Sequence, residues 1–463
     1  MVRALRTAAV LTALLGPLAH AERAEPAAEW APEAFTLDNG MDVLVLPDHR
    51  APVVTHMVWY KVGAADEAPG KSGIAHLFEH VMFKETDDIG PEEFTTIVQR
   101  NGGQLNAFTS WDYTAYFERV AKDQLPLMME LEAERMTDLI INDDPEGPFI
   151  SERDVVKEER RQRIENNPGA ILQEQVLSAL WKGHPYEITV IGRMEEVNVL
   201  TPQDGLDFYR KYYSPENAIL VVAGDVTGSE VKVLAEKYYG VKAPTGLVDG
   251  SRAWRSVEPL ETTQTIIHRD PKVRQPQWSR YYLGTSRIRD RAFALALEVG
   301  LDVLGGGQTS LLYQALVEDE KLAVAVGTGA WTFLHDEGPA VLFASPVEGV
   351  ELDTLEDAIM AEVRTVLENG FDEADIVRVR NAMAASAIYA RDSQSGMANE
   401  FGSWAAIGGD VADLLSYPDE VREVTPEAAI EALRTVFAED RHYIDARLLP
   451  PVTESSDGQE DVS

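Results

Sequence analysis

The chain has 463 residues, which is too long for one ordinary core, and its apolar content of 45% supports packed globular domains. A net charge of −37 argues against nucleic acid or an anionic membrane surface as a partner. The acids are spread over the whole chain, so the charge reads as solubility rather than as a localised patch for cationic partners.

Residues 1–21, MVRALRTAAVLTALLGPLAHA, place Arg3 and Arg6 before an apolar run from Ala8 to Leu15 and end on Ala19-His20-Ala21. This is the pattern of a cleaved secretory signal, and the run is short for a bilayer span. Without Arg3 and Arg6 the net charge becomes −39. No later segment has the length and apolarity of a membrane span, so a mature protein in the periplasm or secreted is expected. The chain has no cysteine, which suits an oxidising compartment when the core is large enough to need no disulfide.

From Phe35 to Asp48 the sequence FTLDNGMDVLVLPD reads as a hairpin turning at Asn39-Gly40. A strand, VVTHMVWYKVG, comes next, then a helix that holds Gly73 to Phe83, and amphipathic helices over 91–100, 124–139 and 151–165. AILVVAGDV (Ala218 to Val226) is a buried strand, and a helix through Tyr239 closes an N-terminal domain over 31–242. Turn formers fill 243–259, the predicted linker. Over 260–450 the order of elements repeats, with a strand at WSRYYLGTS, a helix over 292–304, a turn at Gly305 to Gly307 and then LLYQALVEDEKLAVAV. Residues 451–463 read as a disordered acidic tail. The fold class is α+β, with two domains of similar architecture, each a mostly antiparallel sheet packed against helices.

The chemistry concentrates in GIAHLFEHVMF, where His76 and His80 stand one helical turn apart, a spacing that lets two imidazoles reach one zinc ion. Glu79 lies roughly 100° round the axis, which suits a general base beside a metal. Leu77, Phe78 and Val81 are expected to face the packed side. With nine histidines and 78 acids in the chain, chance supplies about 0.03 such motifs. A third ligand is needed, and SERDVVKEERRQRIEN offers Glu152 and Glu159 on one helical face, with Val155 and Val156 available for burial. On spacing alone, a helix this rich in Glu and Arg is more often a solvated surface than a ligand source. The Gly305 to Gly307 run lacks the Lys-Ser/Thr ending of a phosphate loop and reads as a turn before a helix. His49, His56 and His184 have no spacing partners and read as core or surface residues, as do Trp111 and Tyr116 in their hairpin.

His76 to His80 form the inverted zinc motif H-x-x-E-H. Together with WYKVGAADEAPGKSGIAHLFEH, GGQLNAFTSWDYTAY, ERDVVKEE, GHPYEITVIG, YYSPENAILVVAGDV and LGGGQTSLLYQAL, in that order, the motif makes the chain resemble the pitrilysin family of metallopeptidases. The resemblance is to the half-length type similar to mitochondrial processing peptidase and bacterial insulinase-like peptidases. It implies one zinc per chain held by His76, His80 and Glu159, with Glu79 polarising the attacking water and Glu152 supporting the site from behind the ligands. The family's register, seven residues after the glutamate of an E-R pair, selects Glu159 over Glu158. Asn106 and Ala107 match its substrate-binding edge, where an extended peptide pairs with a strand.

One departure stands out. Many members carry an arginine and, seven residues later, a tyrosine near the zinc, and here LVEDEKLAV places Val317 and Val324 at those positions. Neither can donate a hydrogen bond to an oxyanion. The resemblance therefore implies an exported zinc endopeptidase acting on peptides or unfolded segments in a closed chamber. It would be the catalytic subunit of a pair whose partner, a homologous half-length chain, supplies Arg and Tyr, with a homodimer as the other arrangement. A scaffold or peptide-binding subunit that keeps only the fold is the alternative.

Overall fold

The computed structural model describes residues 31–142, 144, 147–248 and 255–452. The predicted signal over 1–21, the middle of the predicted linker and nearly all of the acidic tail lie outside the described residues.

The first half builds a six-stranded sheet from β1 (Glu33–Thr36), β2 (Asp42–Pro47), β3 (Val53–Tyr60), β4 (Gln104–Thr109), β5 (Thr114–Ala121) and β6 (Ala218–Gly224), in the order β1-β2-β6-β3-β5-β4. Only β2 and β6 run parallel. β6, all apolar or glycine and buried along its whole length, sits in the middle, as a strand covered on both faces must. The β1–β2 hairpin turns at Gly40, whose φ of +90° a side chain would strain.

A second sheet comprises β7 (Gln264–Arg269), β8 (Gln277–Leu283), β9 (Ala323–Ala330), β10 (Pro339–Pro346) and β11 (Ile444–Leu449), ordered β7-β11-β8-β10-β9 with β7 and β11 parallel. Strand for strand this is the first sheet without its β1, so the repeat read from the element order is a repeat of topology.

Period-two alternation divides each sheet into two faces. Val54, Val58 and Tyr60 of β3 join a core with the helices of the first half. The opposite face, with Thr55 and Trp59, receives a helix from the second half, Gln394–Ala406. Thr55 Oγ1 meets Ser395 Oγ at 3.0 Å. A Cβ on Gly402 would stand 2.2 Å from the Trp59 indole. The exchange is reciprocal, because the first-half helix Pro168–Leu180 lays Leu172, Val176 and Leu180 against Ile444, Ala446 and Leu448 of β11.

Polar groups fasten the same seam. Arg50 bonds Asp48 through Nε and Nη2, both at 2.8 Å, and donates to Asp392 Oδ1 at 3.0 Å and to its backbone oxygen at 2.8 Å. Asp112, in the β4–β5 turn, accepts from Tyr186 at 2.6 Å and from the backbone N–H of His335 at 3.0 Å. Trp111, Trp181, Tyr186 and Trp331 pack together beside it. Part of the predicted linker is fixed here too, with Val257 buried in this cluster and Arg255 donating to the Ala65 carbonyl at 2.7 Å.

His49, His56 and His184 have structural partners. His56 is buried between Glu118 and Tyr239, His184 meets Asp336, and His49 pairs with Asp225. Among the described residues no helix is long and apolar enough to cross a membrane.

Two stability predictions follow from the seam. Gly402→Ala should cost about 1–3 kcal/mol through overpacking, read as a lowered urea midpoint, whereas Gly329→Ala, with nothing within 4 Å of its Cβ, should be near neutral. Arg50 holds the Asp48 carboxyl down to about 2 from its ordinary 3.8. A depressed acid stabilises the fold above its unfolded pKa and loses that contribution as pH falls toward the folded one. Asp48→Asn should therefore be about 1–2 kcal/mol less stable than the native chain at pH 5, and the gap should close between about pH 4 and pH 2.

Candidate metal centre

The helix Ile74–Val81 begins at Gly73, whose φ of +87° and close approach to the Ile191 carbonyl, 2.7 Å from a Cβ built there, leave no room for a side chain. Two of its leading N–H groups are taken by the half-buried Glu67, which accepts from Gly73 N at 3.0 Å and Ala75 N at 2.9 Å. Leu77, Phe78 and Val81 are buried, and Phe78 stacks on Tyr209 with ring centroids 5.4 Å apart. That packing fixes the rotation of the helix, and His76, Glu79 and His80 come out together on a cleft of about 600 Å³.

Across the cleft runs the helix Pro148–Arg160, continued by a π-helical turn, Arg161–Glu165. Val156 is buried against the core, but Val155 is 47% exposed, so only one of the two valines packs as expected. Adjacent positions on a helix point about 100° apart, and the face toward the metal motif takes Glu152, Val156 and Glu159. Glu159 Oε2 lies 3.7 Å from His76 Nε2 and 3.4 Å from His80 Nε2. Glu158 faces solvent and pairs with Arg161 and Gln162. Glu152 sits behind the imidazoles, where its Oε2 accepts from His80 Nδ1 at 3.2 Å and its Oε1 meets Lys84 Nζ at 2.7 Å.

The donor set suits a zinc ion. One ligand atom from each of His76, His80 and Glu159 lies within 4.8 Å of the others. Two imidazole nitrogens and a carboxylate oxygen with room for a fourth group is a catalytic zinc arrangement. Glu159 Oε2 is buried and makes no hydrogen bond, although it faces two imidazole nitrogens. A buried acceptor left unpaired costs free energy, and a cation between the three atoms would satisfy it.

Charge is distributed unevenly. Burial pushes His76 down to about 4, against the pull of Glu159. His80 is also disfavoured as a cation by burial, yet Glu152 and Glu159 outweigh that and push it up to about 9. The His80 imidazole, 3.4 Å away, holds the Glu159 carboxyl below its usual value. Burial raises Glu79, while a 2.5 Å bond from Thr109 Oγ1 to its Oε2 works the other way.

Thr109 ends β4, the outermost strand of the first sheet, and Asn106, Ala107 and Phe108 of that strand line the same cleft. Asn106 is exposed and Ala107 buried. The second half offers less. Val317 packs against that half's core, and Val324 is 54% exposed on β9, the outermost strand of the second sheet. Four groups around the centre escape a reading by motif: Glu67, Lys84, Thr109 and Arg163. Glu67 and Thr109 lie inside the recognised stretches, but nothing in their spacing marks them.

Residues 42–193 match the insulinase (peptidase family M16) domain, and residues 200–383 match the peptidase M16 inactive domain. The zinc protease PqqE of Helicobacter pylori is 31% identical over 428 residues, covering 90% of this chain and 91% of that one. A protease of known structure from Helicobacter pylori superposes with a TM-score of 0.83 at 28% identity, over 91% of this chain and 100% of that one. The periplasmic protease PqqL of Escherichia coli shares the fold, with a TM-score of 0.77 at 17% identity, and the match takes in 91% of this chain and 48% of that one. With 31% identity to a zinc protease over nine-tenths of both chains and both halves matched in order, the chain belongs to the insulinase family of peptidases, peptidase family M16, the pitrilysin-type family its motifs resemble.

Proposed function

We propose that this chain is an exported zinc-dependent endopeptidase that cuts peptides or unfolded segments. The observation that carries this reading is the convergence of His76 Nε2, His80 Nε2 and Glu159 Oε2, with Glu79 beside them and an open strand edge along the same cleft. His76, His80 and Glu159 would hold the zinc. Bound there, zinc supplies Lewis acidity that makes water a nucleophile near neutral pH.

The protein's own groups do the rest. The outer edge of β4 offers backbone N–H and C=O groups to an extended peptide, so recognition is broad in sequence, with Asn106 and Ala107 at the contact. Thr109 engages Oε2 of Glu79 and leaves Oε1 for the water. Glu79 takes the proton at that oxygen as the water attacks and returns it to the departing amine. Glu152, through Nδ1 of His80, keeps Nε2 of that ring turned toward its ligand position. Export rests on the signal-like pattern over 1–21, and the periplasmic location named for the PqqL relative agrees with it.

The test is metal content alongside peptidase activity in the purified protein. Glu79→Gln should keep one zinc and the fold while losing about 10²–10⁴-fold in rate. Glu159→Gln should strip the metal and Glu158→Gln should leave it. Zinc lost with Glu79 and kept without Glu159 would overturn the assignment, and a native chain without zinc would turn the reading to a scaffold subunit.

We propose further that a homologous half-length subunit, bearing Arg and Tyr where this chain has Val317 and Val324, closes the chamber. An oxyanion donor is worth about 10²–10³ in rate. Mixing the subunits should raise kcat on that scale, and replacing the partner's pair should abolish the gain. Full activity from this chain alone, unchanged by the partner, would leave the valines as tolerated variation.

A further inference from the structure

We infer that Arg163 is a positioning residue for the metal ligand Glu159. Its Nη2 lies 2.8 Å from Glu159 Oε1, while Oε2 of the same carboxylate, buried and unbonded, faces the two imidazoles. A carboxylate left to itself can rotate and offer either oxygen or both to an ion. With Oε1 engaged by a planar guanidinium, only Oε2 is presented, and the ligand set becomes two nitrogens and one oxygen. The inference rests on the proposal that His76, His80 and Glu159 bind zinc.

The surroundings argue that this pair is for geometry rather than for stability. Arg163 is 70% exposed at the wall of the cleft, where an ion pair adds little to folding. Its backbone is nonetheless well anchored. It belongs to the π-helical turn Arg161–Glu165, a kind of distortion frequent at functional sites. The preceding residue, Arg160, ties that turn to the body of the half by donating to the Gly192 carbonyl at 2.6 Å and to Glu174 at 2.9 and 3.0 Å. Arg161 supplies an internal comparison, because it lies in the same turn and pairs at 3.1 Å with Glu158, which faces solvent. Each support therefore acts on a different ligand, with Glu152 and Lys84 behind His80 and Arg163 behind Glu159.

The test is zinc affinity of the full chain, stripped with a chelator and titrated with zinc against a chromogenic competitor, with urea unfolding of each metal-free protein in parallel. Arg163→Ala should weaken zinc binding by about 10–100-fold, the usual effect of removing a group that orients a ligand. Arg163→Lys should recover part of the loss, Arg161→Ala should bind as the native chain does, and metal-free stability should not change in any of them. The inference is overturned if Arg163→Ala binds zinc as tightly as a native chain that takes up one ion, or if its weaker binding is matched by a fall in metal-free stability. A native chain that takes up no zinc would overturn the metal assignment itself, and this inference with it.

Discussion

One atom organises the first half of this molecule. Oε2 of Glu159 is held in a buried place, without a hydrogen-bond donor, against the Nε2 atoms of His76 and His80. Two helices have to be fixed in rotation and in crossing for that to persist. The first is fixed by Phe78 among Tyr209 and Tyr213 and by Glu67 on its leading N–H groups. The second is fixed by Val156 in the core and by Arg160 on Gly192 and Glu174. Neither helix could relax to satisfy the oxygen without breaking packing that is worth more than one hydrogen bond. The apolar core thus holds a polar arrangement that would not assemble by itself.

The exchange of helices between halves extends this rigidity to the whole described body. Gln394–Ala406 covers the back of the sheet that presents β4, and Pro168–Leu180, which follows directly on the π-helical turn beside the metal centre, covers the second sheet. Neither sheet is sandwiched without the other half's helix. Gly402 under Trp59 shows how close that contact is, since even a methyl group would have to displace an indole. Arg50, Asp48 and Asp392 bridge the same seam at its polar rim. The cleft is bordered by the helix Ile74–Val81 and by Arg163 and Ile164 of the π-helical turn that leads into the crossing helix, so its walls are tied to both halves.

Much of this was legible in the chain. A continuous apolar run marked β6 and a β-branched, aromatic run marked β3, Asn39-Gly40 marked the first turn, and one helical turn between His76 and His80 marked a face suited to a metal. What was not legible is mostly tertiary. The helix Gln394–Ala406 is absent from the elements read in the sequence, and nothing in its residues says whose sheet it covers. Val155 and Val156 were both available for burial, and only the crossing of two helices decides for Val156. Spacing alone left Glu152 and Glu159 as ordinary surface acids, and the family register was needed to prefer Glu159 to Glu158. Arg163 and Thr109 carry no motif at all, because an exposed arginine and a strand-end threonine gain meaning only from the atom opposite.

The second half shows the same topology without the His/Glu cluster. The helix Arg291–Gly305 lies between β8 and β9 as the metal helix lies between β3 and β4, yet it buries Leu297, Val299, Val303 and Leu304 where the first half spends a helix on two histidines and a glutamate. Among the described residues His76, His80 and Glu159 form the one cluster suited to a metal. A buried helix without polar groups carries no desolvation cost for them. The second half's outer strand β9 keeps the edge position of β4 but presents Val324 there. The repeated topology thus differs between its copies, with the first sheet bordering the His76, His80 and Glu159 cluster and the second half supplying the helix Gln394–Ala406 that packs on the back of that sheet.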